Sequence, residues 1–159
     1  MAFLTTNDYI TGRQPVPNPS DGGLYATRFT LVIPTANLAD MVINTIGQIG
    51  VLPAGCVPVD VIVDFTDPDA STAALVMQVG IWDGSGASLS TAAADGGANW
   101  GVTQTATAPA TQKLTANGNA MYTVTPVNAD RKLGIKVTTA PTTPQAFTLA
   151  VTLIYRAAP

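Results

Sequence analysis

The amino-acid sequence predicts an all-β protein, an antiparallel β-sandwich or jelly-roll-like domain carrying an extended N-terminal arm. Three observations lead there. All ten acidic residues are aspartate, and threonine, valine, glycine and proline are abundant. The chain thus avoids a strong helix former and favours β-branched and turn residues. Apolar side chains recur with period two over several stretches, the alternation of a half-buried strand. Between these stretches lie short turn signals, among them "TDPDAS" after Phe65, "DGSG" after Trp82, "ANGN" at 116–119, "NADR" before Lys132 and "APTTP" from Ala140. Hairpin-like connections without amphipathic helices indicate antiparallel sheets.

The elements follow in order. Residues 1–23 include "RQPVPNPSDGG", whose prolines and glycines exclude a helix and argue against a strand interior. This segment is the arm. Its apolar residues Phe3, Leu4, Tyr9 and Ile10 fit either packing on its own domain or ordering on a neighbouring subunit. Residues 24–159 form the sandwich domain. "YATRFTLVI" places Tyr25, Thr27, Phe29, Leu31 and Ile33 on one face and ends at Pro34. "MVINTIGQIGVL" reads as a bent or bulged strand. "CVPVDVIVDF" sets Val57, Val59, Val61, Val63 and Phe65 on the core parity, with Asp60 and Asp64 pointing away. "TAALVMQVGIWD", "AMYTVTPV", "KLGIKVTT" and "QAFTLAVTLIYR" complete a set of about seven strands. Residues 91–115 read as one long Ala/Gly/Thr loop, of a length more often functional than merely connecting.

At 159 residues and 47% hydrophobic content the chain has enough material for one core. Only 11% of it is charged, against roughly 25% in typical soluble domains, so small polar and apolar residues make up much of its surface. Such a surface suits packing against other protein. Val32, Ile62, Val76, Trp82 and Ile154 fall on the outer parity and call for a cover, most simply a second copy.

Chemistry is sparse. The chain has no histidine and one cysteine, which leaves neither a nucleophilic triad nor the usual zinc ligand set. Cys56 reads as a small buried hydrophobe. Asp64, Asp67 and Asp69 lack the spacing and glycine of a calcium loop and read as an Asp-Pro-Asp turn. No residue is assigned a catalytic, cofactor-binding or metal-binding role, and the chain does not read as an enzyme. The net charge is −3, with seven dispersed basic residues, which argues against a nucleic-acid partner. Arg131 and Lys132 read as a solvated pair at the start of a strand. The first residues do not read as a signal peptide, and no apolar run is long enough for a membrane helix; folding in a reducing cytoplasm is expected.

The runs "IGVLPAGCVPVDVIVDF", "ALVMQVGIWDGSG" and "KLGIKVTTAPTTPQAFTLAVTLIYR" resemble small virion proteins of tailed bacteriophages, the capsid decoration or cement proteins. The likeness spans roughly residues 25–156 and rests on strand-and-turn patterns. It implies a β-sandwich or jelly-roll subunit, commonly trimeric, bound to the outer surface of the major capsid protein lattice, with an arm touching neighbours. The expected place is the capsid exterior of a virion made in the host cytoplasm.

Interfaces favour aromatic and arginine anchors. The candidates are Phe3, Leu4, Tyr9, Ile10 and Arg13 on the arm, and Trp82 and Trp100 on the body. Trp82 also fits packing within its own subunit, and Arg13 also fits plain solvation. Trp100 is favoured because Gly96, Gly97 and Gly101 leave little local side chain to bury it. The alternative is a binding module, such as a carbohydrate-binding or fibre head domain with Trp82, Trp100 and Tyr122 as a stacking platform.

Overall fold

The computed structural model of the chain describes residues 6–19, 22–71, 74–84, 88–103, 110–116 and 120–158. Two antiparallel sheets face each other. The first runs β1 (Leu24–Ile33), β9 (Phe147–Ala157), β3 (Cys56–Phe65) and β6 (Ala110–Lys113). The second runs β2 (Ile46–Leu52), β8 (Arg131–Thr139), β4 (Val76–Ile81), β5 (Gly101–Val102) and β7 (Thr115–Ala116). The chain is an all-β sandwich, as the period-two alternation predicts.

The core is the set of inward residues of both sheets. Phe29, Leu31 and Ile33 from β1 and Leu149, Val151, Leu153 and Tyr155 from β9 meet Met77 and Val79 from β4 and Leu133, Ile135 and Val137 from β8, all fully buried. Packing across the gap is tight at Phe29, whose ring occupies the space that a Cβ on Gly50 would need, only 2.4 Å away. Asp64 and Asp60 face away from this core, and Asp64 pairs with Arg28 across the outer face of β9.

Four features differ from the expectation. A bulge between Pro58 and Asp60 makes Val59 an extra residue opposite β9, so the parity of β3 reverses there. Cys56 and Pro58 are buried at that end, while Val57 and Val59 turn outward; the expected inward placement holds only from Val61 onward. The stretch "AMYTVTPV" is not a strand. Ala120–Thr123 form a 3₁₀ turn, and the Thr123 hydroxyl donates to the Ala120 carbonyl at 2.9 Å, a local bond that competes with a ladder. "MVINT" likewise lies outside β2, following a 3₁₀ turn at Thr35–Asp40 and reversing at Asn44, with φ of 69°. The expected 91–115 loop contains β5, β6 and a 3₁₀ turn at Ala93–Asp95, and residues 104–109 lie outside the described residues.

The arm lies on its own sandwich. β1 and β2 are the edge strands on one side of the two sheets, and residues 6–19 close the seam between them. Tyr9 meets Phe29 edge-on at 4.9 Å between ring centroids. The Asn7 amide donates to the Ile49 carbonyl at 2.8 Å, where β2 carries a bulge between Gln48 and Gly50. Further along, the Tyr155 hydroxyl donates to the Pro17 carbonyl at 2.5 Å.

Candidate functional site

Potentially reactive groups are engaged in holding the fold. Cys56 is fully buried. Burial pushes its thiol pKa up, Asp130 adds to that, and Arg131 opposes it. This is the reverse of a reactive-thiolate environment. Asp69 is buried and accepts from the backbone N–H groups of Thr142, Thr143 and Ser71 and from the Ser71 hydroxyl. Burial alone would raise its pKa, but these donors outweigh it and hold the carboxyl below its ordinary value. Asp67 accepts from the Asp69 N–H at 3.1 Å, which makes the acidic stretch a hydrogen-bonded turn. Among the described residues no cluster of three potential metal ligands occurs.

Arg131 departs from the expected solvated strand start. It is 8% exposed, and its guanidinium ties three segments together. It donates to the carbonyls of Ala94 at 2.9 Å and Cys56 at 3.1 Å, and to the Asp95 carboxylate at 3.2 Å. The same carboxylate accepts from the Ser90 hydroxyl at 2.6 Å. Sequence reading missed this because the partner lies 36 positions away.

The expected anchors separate. Phe3 and Leu4 lie outside the described residues. Tyr9 and Ile10 are partly buried against the core of their own chain. Arg13 is exposed, 3.8 Å from Asp8. Trp82 is half-buried beneath the Lys132 ammonium, 5.4 Å from its ring centroid. Trp100 is corrected outright: it is 2% exposed, and its indole N–H donates to the Asp95 carbonyl at 3.0 Å. The nearby glycines do not leave it bare. Gly80 lets the backbone at Asn99 and Trp100 approach β4, and the ring fills the end of the core.

What remains exposed is different. Among the described residues, the large apolar side chains in solvent are Leu24, Val32, Val42, Ile43 and Tyr122. Leu24 and Val32 follow from outward parity on β1, and Tyr122 was named only for stacking. Val42 and Ile43 carry no periodic signal. Tyr122 overhangs a shallow groove of about 310 Å³, lined also by Val57, Val59, Val124, Pro126 and Arg156. The β3 bulge turns the two valines into it. The surface therefore offers contact area, and its aromatic and arginine rim has the composition of a protein interface.

The chain is similar to a chain in the capsid of Ralstonia phage GP4, with 26% identity, a TM-score of 0.76 and 96% of each chain covered. It shares its fold with a chain of the cyanophage Pam1 capsid asymmetric unit, at 16% identity and a TM-score of 0.52, covering 92% of this chain and 94% of that one. No protein-family model and no curated protein matches the chain.

Proposed function

We propose that the chain is a structural component of a tailed-phage virion that decorates and stabilises the capsid by binding the outer surface of the major capsid protein lattice as a homo-oligomer, a trimer. The observation that carries the capsid assignment is the end-to-end likeness to the GP4 capsid chain. Decoration is favoured by the weakly charged surface and by apolar side chains left in solvent. A lattice-bound cement needs a rigid body and repeated weak contacts rather than chemistry, and the potentially reactive Cys56 and Asp69 are engaged in the fold. A lone buried thiol fits synthesis in a reducing host cytoplasm.

The glycan-binding alternative loses its platform. Of its three aromatics, Trp100 is buried, Trp82 is half-buried under Lys132, and Tyr122 alone is exposed.

The test is sedimentation of purified protein with capsids lacking it. Saturable co-sedimentation in a fixed ratio to the major capsid protein, with increased resistance of the capsids to heat, is the expected result. Absence of binding, together with absence of the chain from purified particles, would overturn the proposal.

A further inference from the structure

Residues 6–19 lie on the sandwich without joining it. Among the described residues, β1 pairs only with β9 and β2 only with β8, and no backbone–backbone hydrogen bond links the arm to either sheet. The sequence accounts for this. Pro15, Pro17 and Pro19 stand at every second position, so one edge of the extended segment has no N–H to offer a ladder. The preceding turn is closed on itself, because the N–H groups of Thr11, Gly12, Arg13 and Gln14 donate to carbonyls of Asn7, Asp8 and Tyr9. Attachment falls to the partly buried Tyr9, Ile10 and Val16 and to three side-chain hydrogen bonds: Asn7 to the Ile49 carbonyl, Tyr155 to the Pro17 carbonyl and the Cys56 thiol to Asn18. Clefts of about 300 and 280 Å³ remain beside Tyr9 and Gln14, the first walled by Val51, Pro53 and Asp130 of the body and the second by Arg28 and Thr30. Gly22, with φ of 73° and no atom within 4 Å of a Cβ position, gives the chain a pivot before β1.

We propose that the arm is a strap that opens as one unit while both sheets stay closed, baring Cys56 and the seam between β1 and β2. No ladder bond of either sheet breaks when the arm leaves. Native proteins open locally where buried contacts are few, at a lower free energy than global unfolding requires. The thiol reports the opening, since Cys56 is the only cysteine, is fully buried and touches Asn18 of the arm. The opening is a property of the chain alone, whether or not it binds a capsid.

The test follows alkylation of Cys56 in the full chain by mass spectrometry, from native buffer into low denaturant, beside hydrogen exchange of the β8 amides. Alkylation should require an opening whose denaturant slope is well below that of global unfolding, because little surface is uncovered. Asn7→Ala, which removes hydrogen bonds to Ile49 and Ile10, should speed alkylation about tenfold. Val137 lies in the core at the other end of β8 from Arg131, whose guanidinium reaches the Cys56 carbonyl. Val137→Ala weakens only the sandwich, which stays closed during the opening. It should speed exchange of the β8 amides several-fold and leave alkylation unchanged. The slope is read on the unmodified chain, so it decides the question even if Val137→Ala does not fold.

Alkylation that shares the slope of global unfolding, or that Val137→Ala speeds as much as it speeds amide exchange, would show that arm and sandwich open together and overturn the proposal. Alkylation as fast as that of a cysteine in an unstructured peptide would also overturn it, because the arm would then not cover the thiol.

Discussion

Arg131 and Arg28 carry the same charge and answer to different physics. Arg131 is buried and pairs with the partly buried Asp95, so removing it takes a charged donor from the Asp95 carboxylate, which keeps the Ser90 hydroxyl, and from the Ala94 and Cys56 carbonyls. Arg131→Ala should lower stability by about 3 kcal/mol in denaturant titration. Arg28 is half exposed, and solvent screens its pairing with Asp64, so Arg28→Ala should cost under about 1 kcal/mol. Asp69 gives the pH dependence. Its native pKa lies below the ordinary value, so its contribution is present above that value and is lost as pH falls through the native pKa. The difference in thermal midpoint between the parent chain and Asp69→Asn should therefore be largest near neutrality and shrink as pH falls below about 4, the ordinary carboxylate value. A constant difference across that range would contradict the role assigned to those donors.

Among the elements, β1, β4, β8 and β9 were legible because their alternation is uninterrupted and each has one face in the core. β3 was legible only in part. A bulge depends on how a strand meets its partner, and "CVPVDVIVDF" continues its apparent period straight through Val59. Val61→Asp should cost several kcal/mol, because it buries an unpaired carboxylate. Val59→Asp should cost under about 1 kcal/mol, where unbroken parity would make the two equally severe. Trp100 and Arg131 were misread for a related reason: burial depends on what other segments bring to a position, and neighbouring residues do not reveal it.

The arm changes in meaning at this scale as well. Its prolines suggested an extension toward neighbours, yet Asn7, Tyr9 and Pro17 bond to or pack on β2, β1 and β9. Deleting residues 1–20 should lower the thermal midpoint and open Cys56, whose thiol lies 3.4 Å from the Asn18 carboxamide oxygen, to alkylation without denaturant. An unchanged midpoint with a protected thiol would show that the arm contributes nothing to the fold.

For the whole molecule, composition conveyed more than any motif. The low charge, the absence of histidine and the regular turns pointed to a structural sandwich that presents surface. The groove under Tyr122 was not legible, because it forms only when the β3 bulge, the segment at 120–126 and the end of β9 meet. Electron cryo-microscopy of particles from the phage that encodes the chain tests the central claim most directly. The account predicts density for this sandwich outside the major capsid protein shell, repeated with the capsid symmetry and lost when the gene is deleted. A shell without that density, or with the sandwich forming the continuous capsid wall itself, would contradict it.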